Sequence, residues 1–201
     1  AGSKAQRAQQ LARLGYLAFA ADIYGKGVRP DSPEAASAQA GKYKQDRALF
    51  RSRLQAGYRA MLASPQADAG RTAAIGYCFG GTGVLELARA GADVRGVVSF
   101  HGGLDSPTPA DGKNIRGKVL ILHGAEDPFV KPADIDALLA ELRSADVDWQ
   151  MISYSGAVHA FTNPEATELG KKFSMPIAYN AAADKASWQD LKGFLKHIFK
   201  K

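Results

Sequence analysis

The chain has 201 residues, 46% hydrophobic and 23% charged, with a formal net charge of +6; this is the make-up of one globular domain over residues 1–201 with a substantial core, not of a disordered or fibrous chain. Its one cysteine excludes an intrachain disulfide and a zinc site built on several cysteines, so pairing does not reveal the compartment: cytoplasm fits, and so does periplasm if a signal peptide was removed upstream. No apolar run approaches a membrane span, Ala1-Gly2-Ser3-Lys4 is not a signal peptide, and the basic Lys196–Lys201 end stands alone among mixed charges, so neither membrane nor nucleic acid is an expected partner.

In chain order, Lys4 to Leu14 places Ala8, Leu11, Ala12 and Leu14 at helical spacing, and Gly15 ends the pattern. Tyr16-Leu17-Ala18-Phe19-Ala20-Ala21 is then a nearly continuous apolar run, which predicts a strand buried on both faces. A Gly/Pro-rich loop from Asp22 to Pro33 leaves its end. Pro33 to Ala40 predicts a short helix and Tyr43 to Leu62 a long amphipathic one. Strands are expected at Arg71–Tyr77, Arg95–Phe100, Lys118–His123 and Asp148–Tyr154. Helices are expected at Thr82–Ala90, Pro132–Ala145 and Ser187–Phe199. Strands alternating with helices predict an α/β fold, a mostly parallel sheet with helices on both faces.

The centre of this pattern is Gly76-Tyr77-Cys78-Phe79-Gly80-Gly81. A strand-like run enters a Gly-x-Cys-x-Gly turn and a helix leaves it, which is the nucleophile-elbow arrangement with Cys in place of Ser. The nucleophile sits at a sharp backbone position, and Gly76 and Gly80 are expected to lack a Cβ because strand and helix pass closely there. The positive end of the following helix faces the thiol and favours thiolate, the reactive form.

In a parallel sheet, chemistry gathers beyond the carboxyl ends of the strands. Cys78, Asp127 in Gly124-Ala125-Glu126-Asp127-Pro128, and His159 in Gly156-Ala157-Val158-His159 all fall at such ends. Their order of nucleophile, acid, histidine is that of the α/β-hydrolase triad. Asp127 would fix the imidazole tautomer, with Glu126 as the fallback acid, and His159 would act as general base. His101 and His123 also end strands but do not stand in triad order. His101-Gly102-Gly103 reads as a strand terminus, and His197 as a solvent-facing helix residue. No His-x-His or His-Glu-x-x-His spacing supports a metal.

These motifs resemble the dienelactone hydrolase family. The matching pieces are Leu11–Tyr16, Ala21–Gly25, Gly76–Gly81, His123–Asp127 and Val158–Phe161, which together span nearly the whole chain. The resemblance implies a cofactor-free hydrolase of lactones or small carboxylic esters on an α/β-hydrolase fold, in which Cys78, Asp127 and His159 are the triad. Two departures accompany it. The family's arginine four positions past the catalytic histidine is Asn163 here, which leaves the substrate open. The family's N-terminal strands, with their second oxyanion donor and a glutamate near the resting thiol, do not precede Ala1. A separate N-terminal segment completing the sheet beside the elbow strand is therefore expected.

The expected mechanism is acyl transfer through a thioacyl enzyme, with the Phe79 backbone N–H steadying the oxyanion. Tyr24, Lys26, Arg29 and Phe161, on the loops Tyr24–Pro33 and Phe161–Tyr179, are the candidate substrate contacts. Two other readings stand beside it: a redox or peptidase enzyme using Cys78, and an inactive fragment serving as a binding module.

Overall fold

A computed structural model describes residues 2–200, arranged as two compact units that meet in sequence at Ala69 and Gly70. The first unit is helical. It holds α1 (Gly2–Arg13), α2 (Pro33–Gln45) and α3 (Arg47–Leu62). Helix α2 begins where Pro33 occupies its first turn and Ser32 Oγ accepts the Ala35 N–H at 3.1 Å, the two features that most favour a helix start. The periodic run from Tyr43 to Leu62 is not one helix but is broken at Asp46. The Asp46 carboxylate caps α3 by accepting the Leu49 N–H at 2.9 Å, so a side chain that competes for backbone donors restarts the helix inside an otherwise helical pattern. The core of this unit centres on Phe50, with the Tyr43 ring 5.9 Å away and Tyr24 stacked 5.6 Å beyond it.

Tyr16–Ala21 is not a strand. The segment belongs to no sheet, and Leu17 and Phe19 are 46% and 51% exposed. Apolar composition selects an extended, sheet-compatible backbone, but a strand exists only when a neighbour supplies its ladder of hydrogen bonds. Among the described residues no strand pairs with this one.

The second unit carries the sheet. Strands β1 (Ala73–Tyr77), β2 (Gly96–Phe100), β3 (Lys118–Gly124) and β4 (Trp149–Tyr154) are all parallel and lie in the order β1-β2-β3-β4. They are joined by α4 (Phe79–Arg89), a 3₁₀ turn at Pro109–Asn114 and α5 (Pro132–Ser144), and are followed by α6 (Ala166–Phe173) and α7 (Ala181–Ile198). Every residue of β2 is buried, and so is all of β3 after Lys118, the condition of strands covered on both faces.

The pleat shows what covers them. A Cβ on Gly96 would strike the Phe194 ring of α7, whereas Ser99 Oγ lies beside Gly81 of α4. Residues an odd number apart point to opposite faces, so α4 and α7 cover opposite sides of β2. Helix α7 begins earlier than expected, because Asn180 caps it by accepting the Ala183 N–H at 3.0 Å. Ser187, the expected start, is buried inside the helix and donates to the Asp184 carbonyl at 3.0 Å. Helix α6 lies in a stretch expected as loop. No helix among the described residues is long and apolar enough to cross a membrane.

Helix α4 is buried from Gly81 to Arg89, so its two charged residues need partners inside the protein. The Arg89 guanidinium binds Glu141 of α5 through two bonds of 2.8 and 2.7 Å and Glu86 through one of 2.9 Å. This cluster pins the elbow helix to α5. Removing one partner of such a pair leaves charge stranded away from water, at a cost of about 3–5 kcal/mol. Glu141→Ala is therefore expected to lower unfolding free energy in urea by about that amount. The same change at Glu168, whose exposed pair with Lys171 is worth about 0.5 kcal/mol or less, should barely move the transition.

Candidate active site

Strand β1 meets α4 with no spacer except Cys78, whose backbone is at φ 51° and ψ −118°. That conformation is unfavourable for a residue with a Cβ, by about 1–3 kcal/mol, and persists only where the surroundings impose it. The imposing contact is close. A Cβ placed on Gly76 would lie 1.9 Å from the Gly80 carbonyl oxygen, so only glycine allows the strand to pass so near the first turn of α4. Gly80 itself points into open space. A second close approach lies at Gly81, whose missing Cβ would meet Gly102 Cα at 2.8 Å just past the end of β2. Sharp turning leaves the Cys78 thiol above the carboxyl end of the sheet, at the positive end of α4.

The other groups converge from the neighbouring strand ends. Asp127 follows β3 in the turn Asp127 N–H to Gly124 carbonyl, 3.0 Å. Its Oδ1 accepts the Phe129 N–H at 2.9 Å, and its Oδ2 faces His159 Nδ1 at 2.8 Å. Glu126, the fallback acid, is turned elsewhere and accepts the Gly156 N–H at 2.9 Å. His159 follows β4. It is held by a bridge to Ile177 and by the Asn180 N–H on the Phe161 carbonyl at 3.0 Å.

Sequence reasoning passed over His101. It does end β2, at φ 38°, but its ring then turns back onto the nucleophile: Nδ1 lies 3.3 Å from Cys78 Sγ and 3.2 Å from the Cys78 backbone nitrogen. Its Nε2 meets Thr162 Oγ1 at 2.8 Å. Sγ and one nitrogen from each of His101 and His159 all lie within 4.8 Å of one another. The only advance signal was a His-Gly-Gly at a strand end beside the elbow, and its meaning depended on the register of β1 and β2, where Tyr77 pairs with Phe100.

Phe161 is not a substrate contact. It is fully buried, with its ring edge-on to His101 at 5.0 Å and near Tyr154 at 5.4 Å. The aromatic on the open side is Phe129, 51% exposed and edge-on to His159 at 5.1 Å. Tyr24, Lys26 and Arg29 belong to the first unit. There Arg29 pairs with Asp22 at 3.1 Å, and Lys26 is exposed. Asn163, at the position of the family's arginine, accepts the Glu165 N–H at 3.1 Å.

Electrostatics follow from this packing. Burial pushes the Cys78 thiol up, but the adjoining His101 ring and, behind it, His159 outweigh burial and bring it down to about 6. Burial pushes His159 down, but its hydrogen bond to Asp127 and the neighbouring sulfur raise it to about 9. Asp127 is likewise raised by burial, yet stays below the ordinary carboxylate range because His159 and the Phe129 N–H favour its charged form. The arrangement is a thiolate facing an imidazolium, with a carboxylate behind the ring.

A parallel sheet with an elbow cysteine and a histidine–aspartate pair at its strand ends defines a protein of the α/β-hydrolase class. The dienelactone hydrolase family profile matches residues 2–199, and the chain belongs to that family. That membership places it among hydrolases of the lactone and ester type. A solved dienelactone hydrolase-like promiscuous phosphotriesterase from metagenomic libraries is 40% identical, with a TM-score of 0.89 over 98% of this chain and 80% of its own. An uncharacterized protein of Caenorhabditis elegans is 34% identical over 73% of this chain and 92% of its own. A putative carboxymethylenebutenolidase of Saccharolobus solfataricus is 32% identical over 63% of this chain and 44% of its own.

Iodoacetamide labelling of Cys78, followed by intact mass in a chelating buffer, should rise through about pH 6, well below the ordinary thiol value of about 8.5. A labelling curve centred near that ordinary value would mean the thiol is not activated.

Proposed function

We propose that the chain hydrolyses a small carboxylic ester or lactone by nucleophilic catalysis, with Cys78 as nucleophile, His159 as acid and base, and Asp127 as the group that orients His159. The observation that carries this reading is the chain of contacts from Asp127 Oδ2 to His159 Nδ1 at 2.8 Å and on to the thiol, together with the lowered thiol and raised imidazole pKa. With Nδ1 engaged by the carboxylate, Nε2 is the nitrogen that serves the sulfur.

The Cys78 thiolate attacks the carbonyl carbon, forming a C–S bond while the C=O electron pair moves onto oxygen. The Phe79 backbone N–H, the amide after the nucleophile at the positive end of α4, donates to that oxyanion. As the oxyanion collapses the C–O bond breaks, and the leaving alkoxide takes the proton of His159 Nε2. Neutral His159 then removes a proton from water. The hydroxide attacks the thioacyl carbon, the C–S bond breaks to return the thiolate beside the imidazolium, and the carboxylic acid leaves and gives its proton to water.

Tyr24, Lys26 and Arg29 remain proposed substrate contacts. The reading also includes a separate segment pairing with the edge of β1. It is supported by the half-buried apolar residues Ala73, Ala74 and Ile75 on a strand that pairs only with β2 within the described sheet. The name of the 40% identical relative supports a second reading, attack of the same thiolate on a phosphotriester.

The test is turnover of p-nitrophenyl acetate, a simple aromatic lactone and a p-nitrophenyl phosphotriester. Cys78→Ala should abolish all turnover while near-UV circular dichroism is kept. Asp127→Asn should lower kcat by about 10²–10⁴, since the comparable serine-protease change costs about 10⁴, while Glu126→Gln leaves it nearly unchanged. Peptide cleavage or peroxide consumption without ester turnover would assign the cysteine to another chemistry. Wild type inert toward all of these would leave a binding module.

The sign of the pH dependence follows from the two groups. Below about 6 the thiol holds its proton and cannot attack; above about 9 His159 has lost the proton the leaving group needs. A plot of kcat/KM against pH is therefore expected to be bell-shaped with limbs near those values, which belong to the pair as a whole. A single rising limb near 8.5 would contradict the ion-pair description.

A further inference from the structure

We infer that Cys78, His101 and His159 form a binding site for a zinc-class divalent cation, and that occupancy of this site switches hydrolysis off. The inference goes beyond the hydrolytic reading. It stands on the second histidine, which adjoins the thiol and takes part in no proton transfer of that mechanism.

The three donors are a thiol and two imidazoles, a set that suits a borderline-soft cation of tetrahedral preference and leaves one position for water. Their ligating atoms all lie within 4.8 Å of one another, and the Sγ to His101 Nδ1 separation is 3.3 Å. Zinc bonds of about 2.3 Å to sulfur and about 2.0–2.1 Å to nitrogen place neighbouring ligand atoms roughly 3.3–3.6 Å apart in a tetrahedron, so small side-chain rotations close the shell.

Both rings are already oriented as a cation requires. His159 turns Nδ1 to the Asp127 carboxylate at 2.8 Å, and His101 turns Nε2 to Thr162 Oγ1 at 2.8 Å. Each ring thus commits its outer nitrogen to an oxygen and presents the inner one to the sulfur, the outer-shell pattern that fixes tautomer and aim in metal-ligating histidines. The Cys78 backbone N–H adds an independent sign. It approaches His101 Nδ1 at 3.2 Å, an atom that offers a lone pair whenever the ring is neutral. A cation can take this lone pair, because the same N–H also donates to the Phe100 carbonyl at 3.0 Å. Cys78 and His159 are only partly buried, which gives a hydrated ion access. The ligands come from the ends of β1, β2 and β4, so no short sequence motif announces them.

Binding forms one S–M and two N–M bonds, the sulfur entering as the thiolate it already is, and the Nε2 proton of the His159 imidazolium is released to water. No electrons are transferred. The sulfur lone pair and His159 Nε2 are then engaged, and both are needed for acyl transfer.

The test uses chelator-treated, desalted full chain with ZnCl₂ in equilibrium dialysis and CoCl₂ in absorption spectroscopy, without substrate, so failure here is separate from failure of the hydrolytic reading. One equivalent of zinc should bind at micromolar concentration and protect Cys78 from iodoacetamide. Cobalt should give a near-ultraviolet thiolate charge-transfer band with intense four-coordinate visible bands. His101→Gln should weaken zinc binding at least tenfold. Thr162→Val, a milder change should the first variant fold poorly, should weaken it about 10-fold or more, as outer-shell changes do. Zinc inhibition of ester turnover in wild type should follow the dialysis curve. Absence of binding, affinity unchanged in both variants, or a six-coordinate cobalt spectrum without the thiolate band would each overturn the inference.

Discussion

The contact on which the rest depends is the passage of β1 against the first turn of α4. Because the Gly76 position leaves no room for a Cβ beside the Gly80 carbonyl, the chain must reverse within one residue. Cys78 takes up the turn at φ 51°. The strain is held in place by packing elsewhere: α4 is buried along most of its length, Arg89 ties it to α5 through Glu141, and Thr82 Oγ1 donates to the Gly103 carbonyl at 3.1 Å. That last bond and the close passage of Gly81 by Gly102 bind the elbow to the end of β2. The nucleophile's position and the position of His101 are therefore one structural fact.

Parallel pairing then explains why the chemistry lies where it does. Parallel strands all end on one edge of the sheet, β3 and β4 running two residues past the level of Tyr77 and Phe100, so residues far apart in sequence arrive close together beyond Tyr77, Phe100, Gly124 and Tyr154. The thiol, two imidazoles and a carboxylate meet there in a partly desolvated space. Burial alone would make the thiol and the imidazole neutral. The His101 ring and, after it, His159 outweigh burial at the sulfur, and Asp127 and the sulfur outweigh it at His159, so the thiol is lowered and the imidazole raised.

What was legible in the sequence was whatever local chemistry determines. The elbow glycines, the apolar runs of β2 and β3 and the Gly-x-x-Asp-Pro turn carry their conformations in their own residues, and the four strands and the Asp127–His159 contact follow them. The misses share a physical cause, in that each depends on what a segment meets. Tyr16–Ala21 reads as a strand but has no ladder partner among the described residues. Phe161 reads as a loop aromatic but is fully buried. Gly80 reads as a second sterically required glycine at the crossing, but a Cβ there would meet nothing, and the other tight glycine is Gly81 against Gly102. His101 was set aside because order along the chain was taken as the criterion, whereas the pairing of Tyr77 with Phe100 puts the residue after β2 directly beside the elbow.

One short segment connects these observations. Residues 159–162 supply His159 itself, a turn at Ala160 with φ 61°, the buried Phe161 against the His101 ring, and Thr162, whose hydroxyl holds His101 Nε2. The two imidazole rings lie 5.6 Å apart; His159 is carried by this segment and aimed by Asp127, and the His101 ring is contacted by Phe161 and Thr162 of the same segment. That segment is clamped by the returning chain at Ile177 and Asn180, with the Tyr179 N–H on Thr167 Oγ1 at 3.0 Å. The segment therefore bears on both imidazoles, on His159 by carrying it and on His101 through Phe161 and Thr162, while the backbone of His101 is held separately by its N–H on the Leu122 carbonyl at 2.8 Å.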